Sequence, residues 1–267
     1  MALNCFPLRY NRKNELYMKR KLKIAVKSFF ASLAVLSARL SLVLVLFFVS
    51  LSLLIIIIRE IFYDKEYTMD ERVFSYLSQF ITETNTSVMQ VFSFAGSHYF
   101  LIPAWLLLLC FYYFIRMDKW VSIKIPVIAF SNLALMFGLK FFFNRPRPLI
   151  PLLKDVPGLS FPSGHAFMSF IFYGFVIYLV FHDVKNRRAK WSIISILAFF
   201  ILAIGLSRIY LRVHYASDVL AGYCFGMMSL LILLRLLRQI EKGNAKIIPP
   251  DLNITKAPDD LPKTKRN

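Results

Sequence analysis

Residues 36–58 read LSARLSLVLVLFFVSLSLLIIII, with one charge, Arg39, near the start. About 20 apolar residues in helical form cover the hydrocarbon core of a bilayer, roughly 30 Å thick. This stretch is long enough to cross. It follows the basic segment RKNELYMKRKLKIAVK, residues 12–27. A secretory signal also opens on positive charge, but its apolar core is shorter and ends at a small-residue cleavage site. Neither feature is present, so the stretch is expected to be a retained first span.

The same criterion finds further runs at 98–115, 121–143, 166–181, 191–211 and 217–237. The fourth is short and reaches spanning length if its helix begins near Ser163. Composition agrees: 58% of residues are hydrophobic and the mean hydropathy is +0.58, above the range of soluble domains. The expected fold class is all-α, an integral membrane bundle of six transmembrane helices. Its expected organisation is a basic cytoplasmic segment over 1–35, a six-span domain over 36–240 and a polar tail over 241–267. Pro249, Pro250, Pro258 and Pro262 in that tail predict disorder.

Net charge is +18, from 33 basic and 15 acidic residues. A nucleic-acid footprint would gather such charge on one surface. Here it lies at the chain ends and in short loops between apolar runs. Lys19, Arg20, Lys21 and Lys23 precede span one; Arg116 and Lys119 follow span two; Arg187, Arg188 and Lys190 follow span four; Lys242 and Lys246 follow span six. All four groups fall on one side of a six-span chain, and cytoplasmic loops favour Lys and Arg. Both termini are therefore expected in the cytoplasm, no nucleic-acid partner is expected, and loops one, three and five face outward. Loop one, rich in Asp and Glu, carries apolar residues at helical spacing from Val73 to Phe92, as expected of an amphipathic helix on the membrane face. Cys5, Cys110 and Cys224 lie far apart and suggest neither a disulfide framework nor a metal site.

Three polar clusters flank the outward loops: KFFFNRPRP (140–148), PSGH (162–165) and SRIYLRVHYASD (207–218). Span parity puts all three on one face. Each has a plain alternative. Lys140, Arg145 and Arg147 could snorkel to the interface. Ser163 could simply cap a helix. His214 and Asp218 could form a helix-face hydrogen bond at i, i+4. The cations, however, lie on the face where the positive-inside bias disfavours them, and Asp155, the acid of loop three, is offset by Lys154. A bound anion fits them better, because guanidinium forks suit phosphate oxygens. Free N–H groups at a helix start beside Gly164 form an anion site. If Asp218 accepts the proton of one His214 nitrogen, the other nitrogen is a free nucleophile, and His165 can protonate a leaving group. His98 and His182 are expected to be interfacial, and the NTS tripeptide at Asn85 is a sequon of the kind common by chance.

Lys140, six residues, Arg147-Pro148; then Pro162-Ser163-Gly164-His165; then Ser207-Arg208, five residues, His214, three residues, Asp218: this order resembles the three-part signature of the type-2 phosphatidic acid phosphatase superfamily. That superfamily includes membrane lipid phosphate phosphatases and soluble vanadium haloperoxidases. The resemblance implies that Lys140, Arg147, Ser163, Gly164 and Arg208 bind the phosphate. It also implies that His214 attacks phosphorus and becomes phosphohistidine, that Asp218 orients it, and that His165 is the acid. No cofactor and no metal are implied. Arg145 and Arg212 stand outside the signature and could meet a second phosphate or headgroup.

The expected activity is hydrolysis of a lipid phosphate monoester or diphosphate: phosphatidic acid, phosphatidylglycerol phosphate, a polyprenyl diphosphate or a phosphorylated glycolipid. The bilayer is the expected partner, and the site would face outward across the plasma (inner) membrane. Two alternatives stay open at this level: a lipid phosphotransferase using the same site, and a non-enzymatic anion transporter. Six spans imply lipid access and disfavour a haloperoxidase.

Overall fold

The computed structural model describes residues 11–148, 151–152 and 158–247, and every regular element among them is a helix. In chain order these are α1 (Asn11–Ile58), continued by a π-helical turn (Arg59–Tyr63), then α2 (Thr68–Ser78), α3 (Glu83–Ala95), and α4 (His98–Cys110) with its own π-helical turn (Phe111–Ile115). They are followed by α5 (Lys119–Phe143), α6 (Gly164–Asp183), α7 (Arg187–Tyr210) and α8 (Ala216–Ile247). Among the described residues six stretches are long and apolar enough to cross a membrane: Leu40–Tyr63, His98–Ile115, Lys119–Phe143, Gly164–Asp183, Arg187–Tyr210 and Ala216–Asn244. They coincide with the runs read from sequence to within a few residues, apart from the ends of the first and last. Span four does gain its length by starting at Gly164, with Ser163 as its N-cap; the Ser163 hydroxyl accepts from the Ala166 N–H.

Of the described residues, those up to Val49 form one compact unit and those from Ser50 onward a second. In the second unit α6 packs against α4, α5, α7 and α8. Its Phe167, Ile171 and Phe175 are fully buried, whereas large side chains such as Phe130, Phe137 and Leu202 point away from the core. That distribution suits a lipid solvent, where an outward Phe costs nothing. Gly222 lets α8 close on the start of α6. A Cβ there would lie 3.0 Å from the Ser163 carbonyl and 3.2 Å from both Ala166 Cβ and the Phe167 nitrogen.

Two elements differ from the sequence reading. Loop one holds two helices rather than one, and they pack on α7 and α8. The break has a local cause: Thr82 caps α3 by accepting from the Asn85 N–H at 3.1 Å, and the Asn85 amide donates to the Phe80 carbonyl at 2.9 Å. Tyr210 pins the corner by donating to that same carbonyl at 3.0 Å. The second difference is α8, which runs past residue 241 to Ile247, so the tail begins as helix. Glu241 is held there by the buried Lys124 ammonium at 2.7 Å. The rest of the tail, Cys5 and the Lys154–Asp155 pair lie outside the described residues.

Candidate active site

A cavity of about 500 Å³ opens among α4, α5, α6 and the loop before α8. Lys140, Arg147, Gly164, His165 and His214 line its polar end. The remainder of the wall is mainly apolar, from Leu101 to Leu109 on α4 and from Ile125 to Phe137 on α5. The sixteen residues from Ile125 to Lys140 span about 22 Å of helix. The cavity thus joins a cluster of cations and imidazoles to a long apolar slot.

Local structure places each polar group. Asn144, left-handed at φ 44°, ends α5 and turns the chain. Arg147 then reaches back across the site, donating through Nε to the Gly158 carbonyl at 3.1 Å and through Nη1 to the Val213 carbonyl at 3.1 Å. Burial pulls the Arg147 pKa below its ordinary value, and the Asp218 carboxylate works the other way. Lys140 donates to the Leu159 carbonyl at 2.6 Å, and its stem lies 3.6 Å from where a Cβ on Gly164 would stand. The Ser163 N–H donates to the Asp218 carbonyl at 3.0 Å, tying α6 to α8.

Arg208, Arg147 and His214 all stand close enough to His165 to act on it electrostatically. Arg208 does not line the cavity. It is buried behind it, donates through Nη1 to the Ser93 hydroxyl, and has an Nε with no hydrogen-bond partner among the described residues. Its carbonyl accepts from the N–H groups of Val213 and His214, which sets the loop that holds His214.

The link between His214 and Asp218 is less direct than the sequence suggests. His214 Nδ1 lies 3.7 Å from Asp218 Oδ2, beyond hydrogen-bond reach. Ser160 stands between them: its hydroxyl donates to Asp218 Oδ2 and lies 3.4 Å from His214 Nδ1. A hydroxyl has one proton to give. With that proton on Asp218, Ser160 can meet Nδ1 only as an acceptor, so Nδ1 carries hydrogen and Nε2 keeps its lone pair. Burial pushes the His214 pKa down to about 4, against the opposing pull of Asp218, so the ring is neutral near pH 7. Asp218 also accepts from the Tyr215 N–H at 2.9 Å, as a third-position acid does in a capping box.

Two more readings change. Arg145 is not available to a second phosphate: it is buried and paired with Asp218 at 2.6 Å and Asp70 at 2.9 Å. Asp70, in loop one, is therefore an acid partner beside the clusters that the sequence reading overlooked. Arg212, also outside the signature, does not line the cavity. His98, expected merely at the interface, opens onto the cavity beside His165, whereas His182 stays exposed at the opposite end of α6. The acidic richness of loop one was the available signal for Asp70; nothing local marked Ser160.

The family model of the PAP2 superfamily matches residues 122–242. The chain is 27% identical over 145 residues to phosphatidylglycerophosphatase B of Bacillus subtilis, covering 53% of this chain and 70% of that protein. It is 36% identical over 100 residues to the bacitracin transport permease protein BcrC of Bacillus licheniformis, covering 34% of this chain and 44% of that one. The crystal structure of a transmembrane PAP2-type phosphatidylglycerolphosphate phosphatase from Bacillus subtilis shares the fold, with a TM-score of 0.62 at 23% identity over 75% of this chain and 98% of that one. The matched residues 122–242 hold all three clusters, so the chain's similarity to the PAP2 superfamily falls on the segment that builds the site.

Proposed function

We propose that the protein is a membrane phosphatase that hydrolyses a lipid phosphate monoester or diphosphate through a phosphohistidine. One observation carries this reading: one cavity joins Lys140, Arg147, His165 and His214 to an apolar slot of lipid-chain length. The phosphate would sit on Lys140, Arg147 and the Gly164 N–H, with the buried Ser163 and Arg208 supporting the cradle. His214 Nε2 attacks phosphorus, and the bond to the leaving oxygen breaks as that oxygen takes a proton from His165. Water, giving a proton back to His165, then attacks the phosphohistidine and releases phosphate. The cations neutralise the charge that develops on the equatorial oxygens.

Outward placement, across the plasma membrane, is supported by the Lys and Arg bias of the opposite loops. The substrate class follows from the slot and the cradle. Phosphatidylglycerol phosphate, phosphatidic acid, a polyprenyl diphosphate and a phosphorylated glycolipid all present a phosphate at the head of an apolar chain. The relative named as a phosphatidylglycerophosphatase makes the first of these the natural opening substrate.

The relative named as a transport permease favours a second reading, in which the cations bind an anion for passage. That reading leaves the oriented nucleophile without a task. Purified protein incubated with each candidate lipid, with no added acceptor alcohol, should release inorganic phosphate, and His214→Ala should not. Phosphate appearing only when an alcohol is added, on that alcohol, would point to the transferase. No turnover of any lipid phosphate would overturn the reading.

A further inference from the structure

Arg145 is a buried guanidinium near the site that does not line the cavity. Its Nη1 donates to Asp218 Oδ1 at 2.6 Å and to the Ser217 hydroxyl at 2.9 Å; its Nη2 donates to Asp70 Oδ2 at 2.9 Å. Its Cζ lies over the Tyr215 ring, 4.1 Å from the ring centroid. Asp70, on α2 and 1% exposed, also accepts from the Ser217 N–H at 2.9 Å and the Ser217 hydroxyl at 2.7 Å. The outer-loop helix α2 therefore caps the first turn of α8 from outside. Buried charge alternates from Asp70 to Arg145 to Asp218, and Asp218 reaches His214 through Ser160.

Apolar side chains would hold α2 on α8 without the desolvation cost of three buried charges. The charged arrangement does something they could not. Arg145 grips Oδ1 of Asp218, which leaves Oδ2 turned toward Ser160, the Tyr215 N–H and His214. Asp70 balances Arg145, so that its charge is not spent wholly on Asp218. Without Asp70 the guanidinium would draw Asp218 away from Ser160 and loosen the tautomer and aim of the imidazole.

We propose that Asp70 and Arg145 are positioning residues, which set the orientation of Asp218 and, through Ser160, of His214. This makes α2 part of the machinery rather than a cover over it. The inference rests on His214 as the nucleophile.

The test uses the full-length purified chain and two probes. Orthovanadate takes a five-coordinate shape by bonding to His214 Nε2; inorganic phosphate occupies the cradle without that bond. Asp70→Asn should weaken vanadate binding by about tenfold while phosphate binding stays within about twofold. With lipid substrate, kcat should fall about tenfold and KM hold within about twofold. Because Asp70 acts through Arg145, the double variant Asp70→Asn, Arg145→Gln should bind vanadate no worse than Arg145→Gln alone.

Equal weakening of vanadate and phosphate, or losses that multiply in the double variant, would overturn the proposal. Should Asp70→Asn fail to fold, Asp70→Glu displaces the same charge by one methylene and should cost vanadate affinity about threefold; unchanged affinity there overturns the proposal equally. A wild type that binds vanadate tightly but hydrolyses no lipid phosphate would defeat the phosphatase reading and leave the relay standing. A wild type that binds vanadate no better than phosphate would defeat the nucleophile and the relay together.

Discussion

At the scale of single residues, the chemistry turns on how one imidazole is kept neutral and aimed. Ser160 fixes the His214 tautomer by giving its proton to Asp218. Ser160→Ala should therefore lower kcat by about tenfold, the worth of one hydrogen bond to a charged network, with little change in KM. His214→Ala should abolish turnover, whereas Asp218→Asn should retain a trace, because the nucleophile survives in the wrong tautomer.

Acid stability offers a separate check. The folded His214 titrates near pH 4, below its ordinary 6.5. Between those values the unfolded chain holds a proton that the folded one does not, so stability falls as pH drops through that window. The loss is about 3 kcal/mol, none of it above pH 6.5 and none added below pH 4. Unfolding followed across this range should show that slope in the wild type and a shallower one in His214→Gln. The meeting of Lys140, Arg147, Gly164, His165 and His214 at one cavity was legible, because span parity puts their three clusters on one face. Ser160, Asp70 and the pairing of Arg145 were not, because each depends on contacts between residues 54 or more positions apart.

At the scale of elements, the spans were readable from hydropathy and the junctions between them were not. The break between α2 and α3 hangs on the Thr82 cap and on Tyr210, far along the chain, and the extension of α8 hangs on Lys124 meeting Glu241. The junction that matters most for the site is the crossing of α8 over the start of α6 at Gly222. Gly222→Val has no room: its first carbon alone would press on the Ser163 carbonyl. The α6 start must then shift, moving Ser163, Gly164 and His165 against His214. We expect an activity loss of up to about a hundredfold, from a displacement on the order of 1 Å, with a stability cost of about 1–3 kcal/mol. Wild-type kcat in a folded Gly222→Val would show that the crossing does not set the site.

At the scale of the whole molecule, the prediction is one of sidedness and of charge. The loops rich in Lys and Arg lie opposite the three clusters, so in right-side-out vesicles an impermeant vanadate-like inhibitor should block turnover without permeabilisation. Block only after the membrane is opened would reverse the topology while sparing the chemistry. Among the described residues no three His, Cys, Asp or Glu side chains gather as a metal site, and in the proposed cradle Lys140, Arg147 and Arg208 would supply the positive charge. Activity is therefore expected to persist in strong chelator; loss there, restored by Mg²⁺, would contradict a cradle built of cations alone.

The central claim is that phosphorus passes through His214 on its way to water. The stereochemical course of hydrolysis of a lipid thiophosphate, made chiral at phosphorus with two oxygen isotopes and cleaved in water enriched in the third, tests it most directly. Two in-line displacements, first by the imidazole and then by water, predict net retention of configuration at phosphorus, whereas inversion would mean that water attacks the substrate directly and that no phosphohistidine forms.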